Sequence, residues 1–490
     1  MKLKNKITII VILLTSIFYS CSDWLNVQPN DKQTDTQLFA TKGGFYSALN
    51  GVYTNLASNA LYGRNLSYEM LDVIAKRYNP NTTNTYLTQL NAFTYADNSV
   101  ASQIEATWKM AYSTILNCNV ILKNVEDKKG TVLNDQDYKI MKGELLALRA
   151  FLHFDMLRIF GPVYKNKPQA LSIPYNENYK AASLPLLPAD SIINDKILRD
   201  LNTAESLLSV DPVITEGPMA NTLEDNEDNS GRYRQLRFNY YAVLALKARV
   251  LLYKGDNEAA LTAAKKIIED PIAMGHFPHI DPSKLLANST TPDRMFSTEV
   301  FFGYYKKDRS LIYKNSFNGE NAGSNLLQPR TGFVDGSLFA GETQDFRFQS
   351  QWATSSAVGI SGYMFVKYKE VADPDFKLFY GTFVSLIKLS EVYYIAAEAE
   401  TDVAKSYKYL NDMRKVRGLT ELPVGTRPDL ETKLRIEYLR EFLGEGQIFF
   451  MYKRLYSKIL KKENGYNTST YGASEARYVL PLPVSEIENR

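Results

Sequence analysis

Two carboxylates that could act together in catalysis lie near the C-terminal end of the chain. Glu437 and Glu441 are four residues apart in a helical pattern, so their side chains share one face. Such a pair can hydrolyse a glycosidic bond, one carboxyl acting as acid and the other as base or nucleophile. Arg435 and Arg440 lie close by, so we interpret the group as a salt-bridged structural cluster. A glycosidase is the weakest of the functional hypotheses.

The three histidines do not form a recognisable metal site. His153 lies within an apolar helical pattern and is predicted to be a core residue. His276 and His279 are separated by Phe-Pro, and a zinc site needs further ligands at regular spacing. The sequence also has no glycine-rich phosphate loop before a helix and no G-x-S-x-G motif. We therefore predict no catalytic residue, no metal and no cofactor.

Three tryptophans are candidates for stacking on a sugar ring, since aromatic faces pack against the apolar faces of pyranoses. Trp24 follows the N-terminal leader and is assigned to an extended arm. Trp108 lies on the apolar face of a helical pattern and is predicted to belong to the core. Trp352 lies in a polar, irregular segment and is the predicted stacking residue.

The first 20 residues have the pattern of a signal peptide. Three lysines precede an apolar run over residues 7–19, which is short for a membrane span. The sequence Ser20-Cys21 then resembles a bacterial lipobox, although the residues before it are bulky. We predict lipid attachment to Cys21; the alternative is an ordinary signal peptide cut near Ser20. Several acyl chains would anchor the protein durably.

Composition narrows the class of protein further. The chain has 490 residues and a net charge of +3, which is too weak to indicate nucleic-acid binding. It contains 33 tyrosines, a frequent residue on surfaces that stack on ligands. Its second cysteine, Cys118, lies in an apolar helical pattern. With Cys21 acylated, Cys118 has no disulfide partner and is predicted to be a buried core residue.

Apolar residues recur at helical spacing along most of the chain. Helices are predicted over residues 104–125, 138–160, 190–208, 239–253, 258–269, 384–400, 403–416 and 429–455. Gly161-Pro162 is predicted to end the second of these, and Asp190 to cap the third. The fourth and fifth, joined at Gly255-Asp256 and rich in alanine, look like a tetratricopeptide unit.

Irregular segments separate these helices. Residues 80–98 are rich in Asn, Thr and Tyr, and residues 215–231 are acidic and predicted to be an exposed loop. Residues 276–381 show little helical periodicity, with strand-like runs at 300–305 and 363–368. Long irregular segments in a compact protein are usually functional.

Six motifs in order along the chain resemble the SusD/RagB family of Bacteroidetes outer-membrane nutrient-binding lipoproteins. They are CSDWLNVQPND, ATWKMAYSTILNCNVIL, GELLALRAFLHFDMLRIFGPV, GRYRQLRFNYYAVLALKARVLLYKGD, LIKLSEVYYIAAEAE with YLNDMRKVRGL, and EYLREFLGEGQIFFMYKRL with YVLPLPVSEIENR. Two departures are local: Lys388 stands where the family often has Arg, and MYKRL replaces a more acidic, Trp-bearing segment.

The resemblance implies a mostly α fold: a tetratricopeptide-like scaffold carrying a largely irregular, aromatic-rich ligand-binding region. We expect a signal peptide over residues 1–20 and one domain over 21–490. Within that domain the helical scaffold is expected at about 40–275 and 382–460. The binding region is expected at about 276–381, together with the loop 76–98.

The resemblance also implies a region for ligand contacts, after the first helix. There Asp72 and Arg77 are expected to bond hydroxyl groups, and Tyr78 and Tyr86 to stack on sugar rings. Asn84 and Asn91 would add neutral donors and acceptors. Besides Trp352, three tyrosines are weaker candidates for stacking on a sugar ring: Tyr304, Tyr305 and Tyr363. This placement follows the region and not a shared motif.

The leading hypothesis is a non-catalytic surface lipoprotein on the outer membrane, facing the exterior. As the resemblance implies, it captures a nutrient, expected to be an oligosaccharide, and delivers it to a SusC-like TonB-dependent transporter. A peptide is the alternative ligand. A second hypothesis is a helical-repeat partner of the transporter whose ligand binding is weak.

Overall fold

The computed structural model describes residues 35–221, 229–285, 291–330, 332–355, 362–372, 379–460 and 470–488. The predicted signal peptide, Cys21 and Trp24 lie outside these residues, as does part of the acidic segment 215–231. The described residues divide into two compact units, one ending at Ala48 and the other beginning at Leu49. In the described part of the first unit, the rings of Phe39 and Phe45 pack 4.8 Å apart.

Helices make up most of the described chain. They are α1 Asp35–Leu38, α2 Lys42–Leu56, α3 Met70–Ile74, α4 Thr85–Asn91, α5 Asn98–Asp127, α6 Asp135–Phe160, α7 Ala189–Ser191, α8 Leu198–Leu207, α9 Val213–Glu216, α10 Tyr240–Lys254, α11 Asn257–Ile268, α12 Pro271–His276, α13 Ser310–Ser316, α14 Phe346–Gln351, α15 Leu389–Ala399, α16 Val403–Val416, α17 Arg427–Phe442, α18 Gln447–Leu455, α19 Glu475–Tyr478 and α20 Val484–Glu488. A π-helical turn, Ile192–Ile197, joins α7 to α8. No helix among the described residues has the length and apolar character needed to span a membrane.

The strands are short and pair in twos. They are β1 Val300–Tyr305, β2 Trp352–Thr354, β3 Tyr363–Phe365, β4 Phe383–Lys388, β5 Ile459–Leu460 and β6 Thr470–Tyr471. The antiparallel pairs are β1 with β4, β2 with β3, and β5 with β6. Strand β1 and part of the second predicted run, as β3, are therefore confirmed within the irregular region.

Two predicted long helices are present: the first begins six residues earlier than the predicted 104, and the second ends where Gly161-Pro162 predicts. Helix α5 begins after Asp97, whose carboxylate accepts a hydrogen bond from the Ser99 amide at 2.9 Å. Helix α6 is capped by the Asn134 side chain and ends at Gly161, just before Pro162. The predicted core residues Trp108, Cys118 and His153 are all buried in these helices, because each lies on the apolar face.

The tetratricopeptide-like scaffold is also confirmed. Helix α10 is capped by Asn239 and ends at Gly255, which has the left-handed φ of 88° that a glycine tolerates at no steric cost. The Asp256 side chain then caps α11. Small residues let the two helices approach closely, and those of α11 that are buried are Ala260, Ala263 and Ala264.

Four predicted boundaries are corrected. Residues 384–388, predicted as the start of the helix 384–400, belong instead to β4, because their burial on both faces suits a strand paired with β1. The predicted helix 429–455 is two helices, since Gly444 and Gly446 adopt left-handed φ values between them. The expected loop 76–98 contains α4. Finally, Asp190 lies in the first turn of α7, and Pro188 stands at the capping position.

Candidate functional site

A polar cleft of about 370 Å³ opens between residues 59–69 and residues 306–325. We call it the amide cleft, because four asparagines line it. Its lining residues are Asn59, Gly63, Arg64, Tyr68, Glu69, Lys306, Asp308, Leu311, Ile312, Asn315, Ser316, Asn321, Ala322 and Asn325. One wall is the segment between α2 and α3. The other wall is the stretch that follows β1, over residues 306–325, which includes α13. The second wall falls in the region expected to bind a ligand.

Tight turns after α2 position the first wall. The Gly63 amide donates to the Ser58 carbonyl at 2.9 Å, and the Asn65 amide to the Asn59 carbonyl at 3.1 Å. A methyl group at Gly63 would collide with the carbonyl oxygens of Ala57 and Ser58. Only glycine therefore allows the close approach that sets Arg64 at the cleft.

The charges of the amide cleft are paired with one another. Arg64 Nε lies 3.3 Å from Glu69 Oε1, and Lys306 Nζ lies 3.3 Å from Asp308 Oδ1. Burial raises the pKa of the Glu69 carboxyl, and the Arg64 charge offsets part of that effect. Since each cation has its own carboxylate, the cleft as a whole is close to neutral.

The four asparagines supply most of its hydrogen-bonding capacity. Asn59, Asn315, Asn321 and Asn325 are all exposed. Each amide offers two donor hydrogens and an acceptor oxygen without carrying charge. This arrangement suits a neutral ligand with many hydroxyl groups.

Two predicted site residues lie beside the amide cleft. Asn84 caps α4 by accepting from the Leu87 amide at 3.0 Å, and its Nδ2 donates to Asn325 Oδ1 at 2.9 Å. Tyr86 lies next to Glu69: burial raises the pKa of the Tyr86 hydroxyl, and the Glu69 charge raises it further. The structure therefore brings both residues to the site: Asn84 contacts Asn325 of the second wall, and Tyr86 lies beside Glu69 of the first.

Three of the predicted ligand contacts lie instead in the interior: Asp72, Arg77 and Tyr78. The prediction that these side chains contact a ligand is therefore corrected. All three are almost fully buried. Asp72 Oδ2 accepts from the Gly444 amide at 2.6 Å and from the Tyr78 hydroxyl at 3.4 Å. Arg77 Nε donates to the Ala75 carbonyl at 2.8 Å. The cause is the short helix α3, which is buried over its whole length and carries the chain inward.

Burial also changes the charge of Asp72. It raises the pKa of this carboxyl to about 8, against the opposing hydrogen bond from Gly444 and the Arg77 charge. Asp72 is therefore largely protonated at neutral pH.

Asn91 is half-buried, and its side-chain oxygen accepts from Lys76 Nζ at 3.2 Å, so it too serves local structure.

Trp352 is likewise corrected as a stacking platform. Its side chain is only 6% exposed and packs on Phe365, with ring centroids 5.0 Å apart. The cause is the β2–β3 hairpin, which pairs these two residues directly. Among the weaker options, Tyr304 is buried, Tyr363 is half-buried and Tyr305 is 52% exposed.

The carboxylate pair is structural, as the sequence predicts. Glu437 Oε1 accepts from Arg414 and Arg440, and its other oxygen accepts from Arg347. Desolvation opposes ionisation there, but these guanidinium groups lower the pKa of Glu437 to about 2. Glu441 is paired with Arg417, Lys388 and Arg347. Both carboxylates are buried and committed to cations, so neither is placed to attack a ligand.

The histidines do not converge on a common site. His153 Nδ1 contacts the Arg149 carbonyl, and its Nε2 accepts from the Asn176 amide at 2.9 Å. Burial lowers the pKa of His153 to about 3, so the ring is neutral. Within the described ranges, no group of three or more His, Cys, Asp or Glu side chains could hold a metal ion.

The prediction from sequence did not identify several residues of the amide cleft: Arg64, Glu69, Asp308 and the asparagines of the second wall. The available indication was the density of asparagine in the segment NSFNGENAGSN, over residues 315–325. Arg64 and Glu69 gave no such indication, since a single Arg and a single Glu are common everywhere. Their pairing depends on the turns that precede α3.

Two family models match the chain in succession. The model SusD-like_3, described as "Starch-binding associating with outer membrane", matches residues 23–218. The model SusD_RagB, described as "SusD family", matches residues 314–489. The two matches include both walls of the amide cleft, apart from residues 306–313.

Similar proteins agree with these models. SusD-like protein P2 of Formosa agariphila is 28% identical over 164 residues, which are 33% of this chain and 30% of the relative. The chain spans less than half the length of the curated relatives that it matches. A SusD superfamily protein of Bacteroides thetaiotaomicron superposes with a TM-score of 0.70 at 20% identity, covering 91% of this chain and 98% of that one. Surface glycan-binding protein A of the same organism gives 0.66 at 18% identity, covering 92% and 98%. At these identities the structural likeness shows the fold.

Proposed function

We propose that this chain, which belongs to the SusD/RagB family, binds a nutrient oligosaccharide in the amide cleft and performs no catalysis. Family membership supports the ligand class, because one matching model is described as starch-binding. A protein of the same fold is named a surface glycan-binding protein. The arrangement of charges supports the absence of catalysis, since the carboxylates of the cleft are paired with cations.

The observation that carries the proposal is the chemistry of the amide cleft. A sugar offers hydroxyl groups that both donate and accept, and exposed amides match both roles. The paired charges, Arg64 with Glu69 and Lys306 with Asp308, can add stronger hydrogen bonds without giving the cleft a net charge. A neutral oligosaccharide fits this balance better than a charged ligand.

Calorimetry and affinity gels with a panel of neutral polysaccharides and their oligosaccharides test the proposal. The double variant Asn315→Ala/Asn321→Ala removes two exposed amides of the cleft and should weaken binding about tenfold or more. Asn202→Ala is the matched control, because Asn202 is also exposed but lies on α8, outside the cleft. If the double variant binds as tightly as the unaltered protein and the control do, the amide cleft is not the binding site.

Two alternatives remain. The first is a peptide ligand, and the second is a protein that acts mainly as a partner of the transporter and binds its ligand weakly. A peptide panel in the same calorimetric assay separates the first, because peptide binding without carbohydrate binding would remove the sugar assignment. Absence of any small ligand, with stable association to the transporter, would favour the second.

We further propose that the protein is held on the outer membrane by lipid on Cys21, faces the exterior and delivers its ligand to a SusC-like TonB-dependent transporter. The family resemblance and the lipobox-like Ser20-Cys21 support this placement. Cys21→Ala should release the protein from the membrane fraction while leaving its carbohydrate affinity unchanged. Retention of the variant in the membrane would refute the anchor, and failure to co-purify with the transporter would refute the partnership.

A further inference from the structure

A second cleft, of about 350 Å³, lies next to the amide cleft. We call it the tyrosine cleft. Its lining residues are Asn50, Tyr53, Thr54, Ala57, Asn229, Arg232, Tyr233, Leu236, Arg237, Tyr304 and Tyr305. The family comparisons assign it no ligand, and the sequence analysis named two of its residues, Tyr304 and Tyr305, only as weaker stacking candidates.

The residues that line the two clefts are neighbours along the chain on both walls. On one wall, Ala57 lines the tyrosine cleft, and Asn59, two residues further, lines the amide cleft. On the other wall, Tyr305 lines the tyrosine cleft and the next residue, Lys306, lines the amide cleft. Since consecutive Cα atoms are about 3.8 Å apart, the two clefts lie close together here, and we call this place the junction.

Tyr305 lies at this junction with its ring accessible. Successive side chains of a strand point to opposite sides. Tyr304 accordingly points inward, where its hydroxyl donates to the Tyr62 carbonyl at 2.8 Å, while Tyr305 is 52% exposed. The backbone is fixed on both sides of the junction, because Tyr305 pairs with Phe383 in the β1–β4 ladder and the Lys306 amide donates to the Thr382 carbonyl at 2.7 Å.

The tyrosine cleft itself combines flat rings with hydrogen-bonding groups. Arg237 Nη2 donates to Asn50 Oδ1 at 2.7 Å, and its guanidinium lies 5.1 Å from the centre of the Tyr53 ring. Tyr233 is half-buried and stacks on Phe379, with ring centroids 6.1 Å apart. Ordered aromatic and planar groups beside amides suit a sugar ring, since one face of the sugar is apolar and its edge carries hydroxyls.

We propose that the tyrosine cleft is a second carbohydrate subsite, and that Tyr305 is the stacking platform connecting it to the amide cleft. The groove then takes a linear oligosaccharide longer than either cleft alone accommodates, and selects its ligand by chain length. This inference rests on the proposed carbohydrate function and specifies the ligand of that same site.

The test is calorimetry of the full protein with linear gluco-, xylo- and manno-oligosaccharides, from disaccharide to octasaccharide. In the series that binds, affinity should rise about tenfold between the shortest and the longest chain, the increment of one good aromatic contact. Tyr305→Ala should abolish this rise while leaving the affinity for the disaccharide unchanged. Tyr305→Phe should keep the rise, because the ring and not the hydroxyl is required.

Tyr179→Ala is the matched control, since Tyr179 is also an exposed tyrosine but lines neither cleft. The inference alone fails if short and long chains bind equally, or if Tyr305→Ala leaves the length dependence unchanged. If no oligosaccharide of any length binds, both this inference and the proposed function are overturned.

Discussion

Arg417 holds together a buried ionic network, and its replacement by methionine should destabilise the protein strongly. Its guanidinium donates to both oxygens of Glu299, at 2.7 and 2.6 Å. It also donates to both oxygens of Glu441, at 3.2 and 3.0 Å. All three side chains are almost fully buried. The network therefore connects α16, α17 and the residue before β1.

The magnitude follows from the pKa of Glu299. Burial opposes its ionisation, but Arg417, with a smaller contribution from His279, outweighs burial and lowers the pKa from 4.5 to about 2. That difference corresponds to about 3 kcal/mol of favourable interaction, most of it from Arg417. Without Arg417, Glu299 keeps the Ile280 amide at 3.0 Å and His279 at 3.8 Å, while Glu441 retains Lys388 and Arg347. Breaking a buried pair on one side costs about 3–5 kcal/mol, and we expect Arg417→Met to fall in this range.

Urea unfolding followed by circular dichroism measures the effect. Glu299→Gln in the Arg417→Met background removes the unpaired charge, so the double variant should be less destabilised than the two single losses combined, by about 2 kcal/mol. Lys408→Met is the surface control, because its partner Asp412 is one helical turn away on an exposed face, and it should leave the urea midpoint unchanged. A loss below about 1 kcal/mol for Arg417→Met, or full additivity in the double variant, would refute the reasoning.

The same network predicts the response to acid. Glu299 and Glu437 both have folded-state pKa values of about 2, below the ordinary 4.5. Each therefore stabilises the fold above pH 4.5, and this contribution is lost as the pH falls from about 4.5 towards 2. The unaltered protein should lose stability steeply in that interval. Arg417→Met should lose less there, since Glu299 is no longer held ionised.

Three further predictions concern single residues. Asp72→Asn should stabilise the protein at pH 7 and more so near pH 8, because the folded pKa of about 8 lies above the ordinary 3.8 and the unaltered protein loses stability as the pH rises between them; equal urea midpoints for both proteins at pH 5 and pH 8 would contradict this. Gly63→Ala should destabilise by about 1–3 kcal/mol and weaken carbohydrate binding, because its methyl group would displace the wall that carries Arg64; thermal unfolding and calorimetry measure both effects. Gly51→Ala, in an exposed turn of α2 where a methyl group meets nothing, should instead stabilise by about 0.5–1 kcal/mol, and a lower melting temperature would count against that reading.

Helix placement was predictable because it depends on local pattern. The spacing of apolar residues located α5, α6, α10, α11 and α16, and Gly161-Pro162 marked the end of α6. The predicted helix boundaries were wrong where pairing with a distant segment determines the secondary structure. Residues 383–388 lie directly before helix α15, and their strand partner β1 lies 78 to 88 residues earlier in the chain; that partner makes them a strand.

The sequence predicted ligand contacts in the loop 76–98 and in residues 276–381. One wall of the amide cleft lies within residues 276–381, whereas the other, residues 59–69, precedes the predicted loop. Asp72, Arg77 and Tyr78 were reasonable choices by residue type, yet α3 turns them inward. Trp352 was chosen because tryptophan stacks well, but the β2–β3 hairpin covers its ring with Phe365.

The sequence by itself determined the mostly helical scaffold, the buried positions of Trp108, Cys118 and His153, and the structural role of Glu437 and Glu441. These depend on periodicity within one helix and on the presence of nearby arginines. Only the tertiary structure decided which polar residues line the amide cleft. Exposure is set by contacts between segments hundreds of residues apart, such as Asn84 with Asn325, and no local pattern records them. Tyr305 lies near the turns at 57–64 because β1 pairs with β4 and the neighbouring Tyr304 hydroxyl donates to the Tyr62 carbonyl, contacts between segments far apart in the chain.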